Sequence, residues 1–166
     1  SSFFISGNKD SDFDPTPVLI GSMKISWNLS LSGRMSAFSN EKKAINIYGW
    51  GLSYKPGGED RKSPWNFGIN SGVYKHFNNI SSSSFTLSLM RKIYLRKSDV
   101  FLGISSNNVK GVNYNTDQNI DSQDFKYIFS NFIFGTTIKL KGIKILPAFN
   151  YRTDNFVVII GLQKEF

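Results

Sequence analysis

The sequence predicts an all-β fold, an antiparallel up-and-down transmembrane β-barrel of eight strands. One observation is the unbroken alternation of apolar and polar residues from Met23 to Ala37. Successive strand side chains point to opposite faces, so this run predicts one two-faced strand of about fifteen residues. A second observation is an apolar C-terminal strand that ends at the aromatic residue Phe166. A third is that no apolar window is long enough for a transmembrane helix, whereas barrel strands hide their apolar residues in every second position.

Composition supports strands and excludes several classes of protein. A chain of 166 residues allows one domain of ordinary size, and it is rich in Gly, Ser, Asn and aromatic residues. The absence of cysteine excludes disulfides, thiolate metal sites and a cysteine nucleophile. Ser1 is not followed by the features of a signal peptide, so we read the chain as a mature, processed form. The formal charge of +8 has no nucleic-acid recognition motif beside it, so no nucleic acid is expected as a partner.

The chain divides into an irregular N-terminal segment, residues 1–21, and a barrel domain, residues 22–166. Clusters of turn-forming residues separate eight predicted strands, at 22–37, 44–55, 65–77, 84–95, 99–109, 125–141, 143–152 and 156–166. The second strand is apolar in both phases, and the fourth carries Arg91 in its apolar phase, so a β-bulge is an option in either. Strands of about ten residues are long enough to cross a bilayer when tilted.

The connections between strands allow a test of topology. When the C-terminal strand ends in the periplasm, the turns at 96–98 and 141–142 are periplasmic, and both are short. The connection at 109–124 is then extracellular, and it is the longest. The connection at 55–64 is longer than a periplasmic turn should be. Three connections therefore agree with the scheme and one does not.

This pattern resembles the small eight-stranded outer-membrane barrels of the OmpA/OmpX type. The resemblance rests on the strand number, the alternation, and a last strand with Val158, Ile160, Leu162 and Phe166 in one phase. Lys164 departs from it, because that class has an aromatic or apolar residue there. The resemblance implies a location in the bacterial outer membrane, contact with its lipids, and assembly by the barrel-assembly machinery, for which Phe166 is the signal.

Charged residues are divided unevenly between the two predicted ends of the barrel. The periplasmic end carries twelve basic residues (Lys24, Lys55, Arg61, Lys62, Arg91, Lys92, Arg96, Lys97, Lys139, Lys141, Lys144 and Lys164) and four acidic ones (Glu59, Asp60, Asp99 and Glu165). This imbalance predicts a basic surface that binds another envelope protein or phospholipid headgroups. The predicted binding residues are Lys92, Arg96, Lys97, Lys139, Lys141 and Lys144. The alternative is that these turns are merely lysine-rich and solvated.

Candidate catalytic and metal-binding residues are few. His76 is the only histidine, and Ser81–Ser84 follow it, but no acidic residue is placed to orient it, so no catalytic residue is predicted. Residues 10–14 and 115–121 have the spacing that opens a calcium loop, but both lack the glycine and the closing glutamate. The sequence therefore predicts neither a metal site nor a cofactor.

The sequence as a whole predicts a non-enzymatic, integral outer-membrane barrel with a structural or interaction role. It would serve as a membrane-embedded subunit or scaffold of an envelope complex, with its partner at the basic end or on the lipid-facing wall. Two alternatives stay open: a soluble lipocalin-like barrel that carries a small apolar ligand, and an outer-membrane lipid-modifying enzyme that uses His76. Aromatic residues near the strand ends would form interfacial girdles in a membrane barrel. In a soluble sandwich they would pack in the core instead.

Overall fold

The computed structural model describes residues 18–40, 43–57, 63–76, 80–95, 98–114, 122–140, 143–152 and 155–164. These residues form nine strands: β1 (Leu19–Lys24), β2 (Leu29–Asn40), β3 (Lys43–Tyr54), β4 (Trp65–His76), β5 (Ile80–Tyr94), β6 (Ser98–Asn113), β7 (Gln123–Leu140), β8 (Ile143–Arg152) and β9 (Asn155–Lys164). Within these ranges there is no helix long and apolar enough to cross a membrane.

Each strand pairs antiparallel with the next strand along the chain, and the sheet curls into a half-barrel. The prediction of an all-β, antiparallel, up-and-down architecture is therefore confirmed. Within the described part of the chain, pairing joins only sequence neighbours, so β1 and β9 form the two edges of the sheet. β3 and β5 pair continuously with both of their neighbours, so neither contains the bulge that the sequence allows.

The first predicted strand is two strands in the structure. β1 ends at Lys24, residues 25–28 form a turn, and β2 begins at Leu29 and returns along β1 with Leu31 opposite Met23. Lys24 pairs with Ser30, so an odd number of residues separates two positions that share a face, and the alternation continues across the turn in the same phase. For that reason the pattern conceals the turn, and the sheet has nine strands where the sequence predicts eight.

Short polar contacts hold this turn. The backbone N–H groups of Ile25 and Ser26 both donate to the carbonyl oxygen of Leu29, at 2.9 and 3.1 Å. The Ser26 hydroxyl donates to Oδ1 of Asn28 at 2.8 Å. Serine and asparagine side chains that bond locally offer the backbone an alternative to a continuing strand. The composition of the turn, more than its apolar pattern, therefore marks the end of β1.

The two faces of the sheet differ in chemistry. The convex face carries large apolar side chains in one phase of the strands, such as Trp50, Leu87 and Phe132, which are 50, 49 and 67% exposed. The concave face carries the opposite phase, which is mainly serine, asparagine, glycine and threonine. Members of that phase are Ser32, Ser53, Asn66, Gly68, Asn70, Ser84, Thr86, Ser88, Ser105, Asn107 and Asn131. The polar phase therefore lies inside the curve and the apolar phase outside it.

Much of the packing on the concave face is polar, although aromatic and aliphatic side chains such as Phe101, Phe125 and Leu146 also lie there. The Thr86 hydroxyl donates to Oδ1 of Asn107 at 2.9 Å, and Nδ2 of Asn107 donates to the Ser105 hydroxyl at 3.3 Å. Among the described side chains, the buried hydrophobic group is Ala148, and the buried polar ones are Ser36, Asp99, Ser105 and Thr137. This arrangement is the reverse of that in a water-soluble domain, whose large apolar side chains are buried.

Arg91 fits the apolar phase of β5 because of its neighbour. Trp65 lies directly opposite Arg91 across β4 and β5, and the guanidinium carbon of Arg91 is 5.5 Å from the centroid of the Trp65 ring. A guanidinium at that distance is attracted by the ring face, and its aliphatic stem covers apolar surface. The exception to alternation at Arg91 is therefore a cation–π pair near the end of the two strands.

Candidate functional site

Five lysines form a basic rim at one end of the half-barrel. Antiparallel pairing brings the ends of the odd-numbered strands and the beginnings of the even-numbered strands to the same end of the sheet. Lys24 ends β1, Lys55 follows β3, Lys92 and Lys139 lie near the ends of β5 and β7, and Lys144 is the second residue of β8. The four lysines within strands belong to the concave phase. The rim therefore borders the polar interior of the curve.

Asp99 holds part of the rim in place. Its Oδ2 forms an ion pair with Nζ of Lys92 at 2.9 Å and a second one with Nζ of Lys139 at 3.5 Å. The Asp99 side chain is only 4% exposed, whereas those of Lys92 and Lys139 are 39 and 58% exposed. A buried carboxylate requires such partners. Asp99 thus connects strands β5, β6 and β7 at the rim and leaves both lysines partly open to solvent.

Lys55 lies just outside the strands, and its backbone N–H donates to the carbonyl oxygen of Asn28 at 2.8 Å. Partial burial lowers the pKa of the Lys55 amine, and the positive charges of Lys92 and Lys24 lower it further. Nearby like charges disfavour the charged form. A negatively charged group placed at this point would relieve the repulsion among the three lysines, so the rim is electrostatically suited to an anionic partner.

The structure brings together three of the six predicted binding residues, namely Lys92, Lys139 and Lys144. Lys139 and Lys144 are directly opposite each other across β7 and β8. Arg96, Lys97 and Lys141, together with the predicted assembly signal Phe166, lie outside the described residues. From the sequence alone, Asp99 is only one of four acidic residues that oppose the basic charge at this end of the barrel. Its place in the concave phase at the start of β6, near lysines on both neighbouring strands, was the signal for its bridging role.

Arg34 places a further positive charge in the middle of the concave face. A Cβ atom at Gly49 would lie 2.8 Å from Nε of Arg34, and one at Gly72 would lie 2.8 Å from Nη2. The guanidinium of Arg34 therefore lies over two residues that leave room for it by having no side chain. Its Nε is buried without a hydrogen-bond partner among the described residues. Among the residues that the structure describes, Asp99 is the one carboxylate of the concave phase. The charged side chains of this face are therefore predominantly cationic.

His76 and the calcium-like spacings do not add to this site. His76 ends β4 opposite Ile80, at the end of the sheet away from the basic rim. In the described ranges no three His, Cys, Asp or Glu side chains are grouped so that they could hold a metal ion. The spacings at residues 10–14 and 115–121 lie outside those ranges.

Comparisons with known protein families, curated proteins and solved structures found no match. The class of protein that the fold defines is therefore the coarser one, an all-antiparallel, up-and-down β-sheet of nine strands curled into a half-barrel. The narrower resemblance to OmpA/OmpX barrels rests on architecture alone.

Proposed function

We propose that this chain forms a membrane-spanning wall of a barrel in a bacterial outer membrane and has a structural or interaction role, without enzymatic activity. The observation that carries the proposal is the reversed distribution of side chains. The large exposed apolar groups lie mainly on the convex face, whereas the concave face is lined largely by serine, asparagine, glycine and a few cations. An outward apolar surface is stabilised by lipid and is unfavourable in water.

The strand lengths support the same proposal. A tilted strand crosses the hydrocarbon core of a bilayer with about 9–11 residues. Strands β2 to β9 contain 10 to 18 residues each, so every one of them is long enough. β1 has six residues and is too short to cross by itself. Because a bilayer offers no water to unpaired backbone groups, the proposal requires that both edges of the sheet are paired in the membrane.

The two alternative functions fit the geometry less well. A lipocalin-like carrier encloses an apolar ligand with an apolar inner surface, whereas serine, asparagine and cations make up much of the inner surface here, beside apolar residues such as Phe101 and Leu146. A lipid-modifying enzyme resting on His76 needs an acid to orient the imidazole. Of the two described carboxylates, Asp99 lies at the end of the sheet opposite His76. Asp124 is on β7, whereas His76 is on β4 and pairs with β5.

Within this proposal, the basic rim is the contact surface for an acidic periplasmic protein. A cluster of lysines with one buried counter-charge produces a collective positive field, which steers association more strongly than isolated pairs do. Asp99 restrains Lys92 and Lys139, so part of the surface is preorganised. The barrel-assembly machinery, acting on Phe166, and the surrounding lipids are the other proposed partners.

Depth-dependent quenching of tryptophan fluorescence tests the proposal. The three tryptophans differ in position: Trp27 is in the β1–β2 turn, Trp65 begins β4, and Trp50 lies inside β3 on the convex face. Trp50 is four residues from the end of β3, which places it about 10 Å deeper at the usual rise and tilt. Variants that keep one tryptophan each, with phenylalanine at the other two positions, would be reconstituted in phosphatidylcholine vesicles brominated at defined acyl depths.

We expect bromines near the middle of the acyl chains to quench Trp50 most strongly, and bromines near the headgroups to quench Trp27 and Trp65 most strongly. Trp27 is the matched control, because it lies in the same protein outside the strands. If a water-soluble quencher reached all three tryptophans equally and lipid bromines reached none, the membrane proposal would be wrong.

A further inference from the structure

We propose that a groove on the convex face, at the end of the sheet opposite the basic rim, binds the phosphate groups of a phosphorylated glycolipid in the outer leaflet. The inference rests on the proposed membrane location and adds a specific lipid contact to it. Lys110 on β6 and Lys126 on β7 are the binding residues; we call them the lysine pair.

The lysine pair is an unfavourable arrangement without a ligand. Lys110 and Lys126 are directly opposite each other across β6 and β7, both in the exposed, convex phase. Like charges opposite each other on a sheet destabilise it. Asp124, in the same phase of β7, also lines the groove around them, but among the described residues neither lysine makes an ion pair with it. An anion held between the two amines would compensate both charges at once.

The groove around the lysine pair can hold a phosphate. Its volume is about 610 Å³, and its lining includes Lys110, Lys126, Ser81 and Ser83. Ser83 lies directly opposite Lys110 across β5 and β6, so its hydroxyl is in the same row as both amines. A lysine ammonium group donates hydrogen bonds and accepts none, and a serine hydroxyl can also donate one. Such donors suit the oxygens of a phosphate ester. Lys75, in the convex phase of the adjoining strand β4, adds positive charge to the same corner of the sheet.

The order of side chains along β6 indicates a lipid as the source of the phosphate. On the convex face, Leu102 and Ile104 are apolar and 45 and 53% exposed, Ser106 and Asn108 are uncharged and polar, and Lys110 is cationic. This is the order of acyl chains, sugar and phosphate in a glycolipid that lies against a barrel wall. A soluble protein partner or free phosphate would not require an apolar surface continuous with the site, whereas a lipid does.

Native mass spectrometry of the intact protein in mild detergent tests the inference. The probes are diphosphoryl lipid A, the same lipid without its phosphates, phosphatidylcholine, and inorganic phosphate. We expect diphosphoryl lipid A to bind best. We expect K110Q/K126Q to weaken its binding by roughly tenfold or more, because two charge-assisted hydrogen bonds are lost. Removing the phosphates from the lipid should produce a similar loss with the wild-type protein.

The control is Arg152→Gln, which removes a positive charge from the concave phase of β8 at the same end of the sheet and should leave lipid A binding unchanged. Equal binding of lipid A with and without phosphates, or unchanged binding by K110Q/K126Q, would overturn the inference. Competition by inorganic phosphate without retention of lipid A would overturn the assignment to a lipid. These failures are distinct from failure of the membrane proposal, which the fluorescence of Trp50 reports independently.

Discussion

Nζ of Lys92 lies 2.9 Å from Oδ2 of Asp99, on a carboxylate whose side chain is 4% exposed. The same oxygen is 3.5 Å from Nζ of Lys139. One buried acid on β6 is thus shared between lysines on both neighbouring strands, with the shorter contact to the less exposed lysine. The strand end at the rim is stabilised through this three-residue cluster.

The unequal distances predict unequal costs. Lys92→Met leaves Asp99 buried with only the longer, more exposed contact, so it should lower the free energy of unfolding by about 1–3 kcal/mol, less than a fully buried pair because Lys92 is itself partly hydrated. Lys139→Met should cost less than about 1 kcal/mol. Denaturant unfolding in detergent micelles measures both. A larger loss for Lys139→Met would mean that the longer contact is the important one.

The close approach of the Arg34 guanidinium to Gly49 predicts that glycines on the two faces differ in how well they tolerate an added side chain. A Cβ atom at Gly49 would lie 2.8 Å from Nε of Arg34 and 2.9 Å from the Cα atom of Gly72, so side chain and backbone both obstruct it. At Gly33, on the convex face, nothing lies within 4 Å. We expect Gly49→Ala to destabilise the protein by about 1–3 kcal/mol and Gly33→Ala to have little effect. Thermal unfolding in the same detergent compares them, and equal effects would contradict this packing.

Much of the fold could be predicted from the sequence because its signal is local. Alternation places each side chain on a face, and it does so correctly for Leu87, Ile104 and Phe132. It fails at residues 25–28, because the odd number of residues between the paired Lys24 and Ser30 preserves the phase that an unbroken strand would show. The missed strand boundary therefore has a physical cause. Only the clustered Ser26 and Asn28 indicated that the chain reverses.

The candidate site is harder to predict because it depends on register. Lys92, Asp99 and Lys139 come from three strands, and no spacing within one strand reveals that they meet. The predicted end of the barrel was sufficient to group the lysines, since strand direction follows from chain order. Which lysine contacts the acid depends on pairings such as Asp99 opposite Thr137, which alternation alone does not determine.

The convex assignment predicts opposite responses at adjacent residues in the middle of β5. Leu87 is 49% exposed on the convex face, whereas Thr86 is in the concave phase and bonds Asn107. Leu87→Arg should destabilise the protein in a bilayer by about 2–4 kcal/mol, as expected for arginine facing lipid at mid-depth. Thr86→Arg, which places the charge on the polar face, should cost less. Unfolding titrations in phosphatidylcholine vesicles give the comparison, and the reverse order would favour the carrier function.

The basic rim predicts a partner contact that depends on salt. Lys24, Lys55 and Lys144 can be changed together to glutamate without removing the two lysines that hold Asp99. This reversal should reduce co-purification of an acidic periplasmic partner in mild detergent by roughly tenfold or more, because the steering field changes sign. Salt at 1 M, where the Debye length is about 3 Å, should weaken the wild-type contact similarly. Glutamate at Lys43, the first residue of β3 at the other end of the sheet, is the control. A contact that survives both treatments would have to be apolar, and the convex wall would then be its site.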